Sequence, residues 1–76
     1  MSEDVRHLVG GNVKRLRMAA GITQAELADL VGVDRAYISG LEQGHRNPTV
    51  VSLWHVATAL NAPVRSLFEE GGKRSR

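Results

Sequence analysis

The side chains of this sequence best equipped for chemistry are its cations. Lys14, Arg15 and Arg17 fall close together, Arg35 and Arg46 stand alone, and Lys73, Arg74 and Arg76 close the chain. Groups so placed suit a polyanionic partner, and equally a solvated mixed-charge surface, because the net charge is only +2. Acid–base and metal chemistry have thinner support. His7, His45 and His55 lack ligand-like spacing, Glu69 and Glu70 are adjacent and so point apart on a helix, and there is no cysteine to supply a thiolate. Gly10-Gly11 does not read as a phosphate loop, since no strand precedes it and its spacing fits neither common fingerprint. These residues exclude any obvious catalytic or metal site, and the expectation is a non-enzyme without cofactor.

The elements that must position the cations are constrained by size. With 76 residues there is room for one domain and one modest core, burying about 60% of the unfolded chain's surface. A deep substrate cleft does not fit. No apolar run approaches the roughly 18 residues of a membrane span, and the opening Met1-Ser2-Glu3-Asp4 is polar, unlike a signal peptide. A cytoplasmic location is expected, which the lack of cysteine permits.

Hydrophobic spacing predicts an all-α domain over residues 1–70 built from five helices. Val9, Val13, Leu16 and Ala20 share one face of a first helix that starts at Glu3 or Asp4, and Gly21 follows as its left-handed cap. Gly10-Gly11 lowers its propensity and marks either close packing or a frayed first turn. Thr23 and Glu26 form a capping box, so a second helix begins at Gln24, turns Leu27, Ala28 and Val31 inward and stops at Gly32. Asp34 caps a third helix through Gln43, with Ile38 and Leu41 facing the core and Gly44 ending it. A fourth carries Val50, Leu53, Ala57 and Leu60 from Asn47-Pro48-Thr49 to Asn61 and Pro63, and a fifth, Val64 to about Glu69, lays Val64, Leu67 and Phe68 on the bundle. Residues 71–76 hold no apolar anchor and read as a flexible basic tail.

The second and third helices lie close enough in sequence to form a helix-turn-helix over about residues 24–43. That motif needs a small residue where its helices cross and a permissive one in the turn, and Ala28 and Gly32 supply them. With Gly10, Arg17, Gly21, Thr23-Gln24-Ala25-Glu26-Leu27-Ala28, Gly32-Val33, Ile38-Ser39, Glu42, Gly44, Asn47-Pro48 and Ala59-Leu60, the chain resembles the lambda-repressor-like, Cro/CI and XRE, helix-turn-helix family. The resemblance spans about Val9 to Phe68 and implies a compact lambda-repressor-like bundle and a sequence-specific transcriptional regulator of duplex DNA.

The resemblance also implies roles. Gln24 would touch a phosphate or support a base contact, and Arg35, Ala36, Tyr37 and Gly40 would face the major groove. Arg35 offers a fork to guanine O6 and N7, Tyr37 a ring to a thymine methyl or a hydroxyl to a phosphate, and Ala36 only apolar contact. Gly40 departs from the family's usual longer side chain, so specificity leans on Arg35, Tyr37 and DNA shape. Arg17 and Glu42 stand where the family has an internal salt bridge, a role favoured for Arg17 over phosphate binding. Of His45, Arg46 and Asn47, in the loop that holds the DNA backbone, Arg46 and Asn47 are the stronger candidates; a plain polar turn is the alternative.

One recognition helix covers few base pairs, so a homodimer on a palindromic operator is expected, with Trp54, Val64 and Phe68 as candidate interface residues unless they are simply core. The string Asp34 to Gly40 with Arg46-Asn47 resembles controller proteins of restriction-modification systems, a narrower alternative. An antitoxin that binds a toxin partner and its own operator is the alternative from another class. Binding of single strands by stacking is poorly supported with only Tyr37, Trp54 and Phe68 as aromatics.

Overall fold

The structure, a computed structural model, describes residues 4–70; the tail at 71–76 and the possible start at Glu3 lie outside the described residues. Four α-helices, α1 (Val5–Ala19), α2 (Gln24–Val31), α3 (Arg35–Glu42) and α4 (Val50–Ala59), precede a 3₁₀ turn at Val64–Phe68. The expected fifth α-helix is therefore a correction. Its five residues follow Pro63, which supplies no side-chain cap, and the Ser66 amide donates to Pro63 O at 2.9 Å. Short segments close readily with such i→i+3 bonds.

Each helix is bounded by a local device. Asp4 accepts from the Arg6 amide at 2.9 Å, and the Arg6 side chain and amide hold its carboxyl down at about 2. Thr23 and Glu26 exchange both capping-box bonds, at 3.0 and 2.8 Å. Asp34 accepts from the Tyr37 amide at 2.9 Å, and Thr49 from the Ser52 amide at 3.0 Å. Gly32, at φ +90°, ends α2 and turns the chain into α3.

The core joins Val9 and Val13 of α1, Leu27 and Ala28 of α2, Ile38 and Leu41 of α3, Leu53, Val56 and Ala57 of α4, then Leu60 and Leu67. The apolar stripe read in α4 holds for Leu53, Ala57 and Leu60, while Val50 on its first turn is 82% exposed. Likewise Leu67 is fully buried, but Phe68 is 42% exposed. Ala20, counted on the apolar face of the first helix, is also exposed, because it already lies at the cap.

Two polar or small residues on α1 determine how its neighbours dock. Asn12 is buried and donates to Leu67 O and Glu69 O, both at 2.8 Å, tying down the closing turn without an orphaned amide. Gly10 faces the end of α3: a Cβ there would stand 2.3 Å from Leu41 O and 2.7 Å from Glu42 O. Close packing is thus the reason for Gly10, whereas a Cβ on Gly11 meets nothing within 4 Å.

This contrast separates adjacent, chemically identical substitutions. Gly10→Ala is expected to cost about 1 to 3 kcal/mol by forcing α1 off α3, and Gly11→Ala to gain up to about 1 kcal/mol from helix propensity. Urea denaturation of both variants checks this; equal stabilities would mean that the α1–α3 approach is not held by Gly10.

Candidate DNA-binding surface

The helix-turn-helix is α2, the turn at Gly32-Val33-Asp34, and α3. Ala28 is buried at the crossing, and its carbonyl accepts from both the Gly32 and Val33 amides, at 2.8 and 3.0 Å. Ile38 and Leu41, 0% and 1% exposed, fasten one side of α3 to the core. The other side carries Arg35 and Ala36, both exposed, and Tyr37 and Gly40, both partly exposed.

Behind this surface lies an ion pair. Arg17 on α1 donates through Nε to Glu42 Oε2 at 2.6 Å and through Nη2 to Oε1 at 3.2 Å, while its Nη1 reaches Ile22 O at 2.9 Å. The Glu42 side chain is only 3% exposed and that of Arg17 12%. Hydrogen bonding to Glu42 raises the Arg17 pKa above its ordinary value, against the pull of burial, so the guanidinium remains charged.

Glu42 also orients the first turn of α2. Gln24 Nε2 donates to Glu42 Oε1 at 3.0 Å, and because an ionised carboxylate only accepts, the Gln24 amide must turn its NH₂ inward. Its oxygen then faces outward and accepts from Arg35 Nη1 at 3.3 Å. The chain Arg17–Glu42–Gln24–Arg35 thereby connects the buried pair with the one cation of α3.

The remaining sequence-derived positions divide. Arg46 lies over the Tyr37 ring, with Cζ 5.2 Å from the centroid, and against Gly40. Asn47 is exposed and lines a depression with Val5, Arg6, Val9, Pro48, Leu53 and Phe68. Trp54 is 63% exposed and Phe68 42%, whereas Val64 packs against the core. Sequence reasoning missed Asn12, whose place between Val9 and Val13 on the apolar face was its only signal, and exposed Val51. It also missed the Gly40–Arg46 juxtaposition, for which the sequence carries no signal. Among the described residues no three His, Cys, Asp or Glu side chains converge as a metal site, and no helix is long and apolar enough to cross a membrane.

Comparison with known proteins agrees with this geometry. Residues 13–67 match the helix-turn-helix family HTH_3. The chain belongs to that family. It is 49% identical over 57 residues to the uncharacterized HTH-type transcriptional regulator y4dJ of Sinorhizobium fredii, covering 75% of this chain and 74% of that protein. It is 32% identical over 72 residues to the control protein C.SmaI of Serratia marcescens, covering 95% and 86%. Its fold is similar to the crystal structure of the restriction-modification controller protein C.AhdI from Aeromonas hydrophila, with TM-score 0.80, 41% identity and coverage of 83% and 91%. This XRE-type member is a DNA-binding transcription regulator.

The ion pair gives a stability prediction. Arg17→Ala leaves a buried carboxylate without its cation and is expected to cost about 3 to 5 kcal/mol, whereas Arg17→Met with Glu42→Leu recovers most of it. Chemical denaturation of the single and double variants measures the difference. A single variant as stable as wild type would remove the pair from the framework.

Proposed function

We propose that this regulator binds a palindromic duplex operator as a homodimer and reads bases through α3. The observation that carries the reading is Arg35, exposed on α3 and held by Gln24, which is itself oriented by Glu42. A guanidinium steadied in this way loses less freedom when it forks onto guanine O6 and N7. Tyr37 and Ala36 add contacts to thymine methyls or a phosphate, and Gln24 lies at the helix start where a phosphate would pass. Arg46 and Asn47 extend the cationic and polar surface along the loop.

Twofold symmetry is what presents two recognition helices about 34 Å apart to successive major grooves. The face that supports a dimer is on α4, where Val50, Val51 and Trp54 are 82%, 64% and 63% exposed and fall within one turn of each other. Phe68, 42% exposed, is a further apolar candidate. Val64 has less to offer, because it is spent on the core.

A restriction-modification controller is the narrower form of this reading. Its support is the likeness to C.SmaI and C.AhdI, at 32% and 41% identity over most of both chains. Such a regulator works where the DNA is, in the cytoplasm.

Selection from random duplex DNA at near-physiological salt is expected to enrich a site of two inverted half-sites. Arg35→Ala should flatten the preference at one base pair of each half-site, worth about 1 to 3 kcal/mol. A folded protein that enriches no site overturns the operator reading and leaves a partner-dependent antitoxin as the better account.

Trp54→Lys should shift the protein towards monomer in sedimentation equilibrium and weaken binding to the two-half-site operator more than to one half-site. Unchanged association would move the interface off α4.

A further inference from the structure

Arg46 belongs to the loop after α3, yet its side chain lies on α3 itself. A Cβ built on Gly40 would stand 3.0 Å from Arg46 Nε, 3.3 Å from its Cγ and 3.6 Å from its Cδ. The stem of Arg46 therefore fills the volume that a side chain at position 40 would need. Its head lies over Tyr37, with Cζ 5.2 Å from the ring centroid, and residues 37 and 40, three apart on a helix, share a face. The loop backbone is committed to this route, since the His45 amide donates to Gly40 O at 2.8 Å and Gly44 turns the chain at φ +80°.

We propose that Gly40 is a positioning residue: by having no side chain it seats Arg46 on the exposed face of α3, where Arg46 reads a guanine in place of residue 40. The proposal rests on the operator reading above and assigns a second guanidinium to that surface. Among the described residues no carboxylate pairs with Arg46, so its N–H groups are not consumed by an internal ion pair. Tyr37 steadies the group, and its fork matches guanine O6 and N7. The recognition surface is then assembled from two segments, with Arg35 at the start of α3 and Arg46 folded back along it. A longer residue at 40 would not add a reader but displace one.

The test compares wild type, Gly40→Leu, Arg46→Ala and the double variant, each selected on random duplex DNA and then titrated against the wild-type operator and its point variants. Gly40 is a partly exposed position where the three atoms nearest to an added Cβ all belong to the flexible Arg46 side chain, so Gly40→Leu is expected to melt no lower than wild type. Both single variants should lose discrimination at the same guanine, on the order of 10- to 100-fold, and the double variant should lose no more than twofold beyond either. In the DNA-free protein, the ring-current shift of the Arg46 side-chain protons over Tyr37 should vanish in Gly40→Leu. If Gly40→Leu retains the preference, if the two losses multiply, or if Arg46→Ala weakens all sequences equally as a phosphate contact would, the proposal is overturned while the operator reading stands. If wild type itself enriches no site, both fall together.

Discussion

The fold turns on a carboxylate that almost no water reaches. Glu42 ends α3, and its side chain, 3% exposed, is satisfied by Arg17 from α1 and Gln24 from α2. Three helices meet at one anion. A buried charge tolerates few arrangements, because any that leaves it unpaired carries a desolvation cost of several kcal/mol. The angle between α2 and α3 is therefore constrained twice, by the apolar contacts of Ala28, Ile38 and Leu41 and by the demand that Gln24 and Arg17 reach the same carboxylate. Gly10 completes the arrangement by letting α1 approach the carbonyls of Leu41 and Glu42.

The same constraint reaches the surface. A carboxylate has only acceptors, so it dictates which way the Gln24 amide points, and that orientation presents an acceptor to Arg35. Core electrostatics and the surface proposed to face DNA are thus one hydrogen-bonded system. Substitution of Glu42 would therefore alter the exposed surface of α2 and α3 from within the core. At the far end of α3 Arg46 is placed differently, over the Tyr37 ring and in the space that a Gly40 side chain would need.

Much of this was legible in the sequence. Helix limits at Gln24, Asp34 and Thr49 follow from caps, which act within four residues and leave a signature there. The inward stripes of α1, α2 and α3 follow from period. Less legible were Val50 and Phe68, which fit an apolar pattern yet stand 82% and 42% exposed, because periodicity says which side of a helix is apolar but not whether another element covers it. The closing segment falls where the sequence places its last helix but closes as a 3₁₀ turn, since five residues after a proline do not declare their hydrogen-bond pattern in advance.

By itself the sequence determined the element order and the helix-turn-helix, because caps, turns and apolar period are local properties written in neighbouring residues. Only the tertiary structure decided that Asn12 clasps Leu67 and Glu69, that Gln24 stands between Glu42 and Arg35, and that Arg46 occupies the space above Gly40. Most of those contacts join residues from separate elements. Their geometry depends on helix packing, and a single glycine's missing side chain has meaning only once the neighbour that fills its place is known.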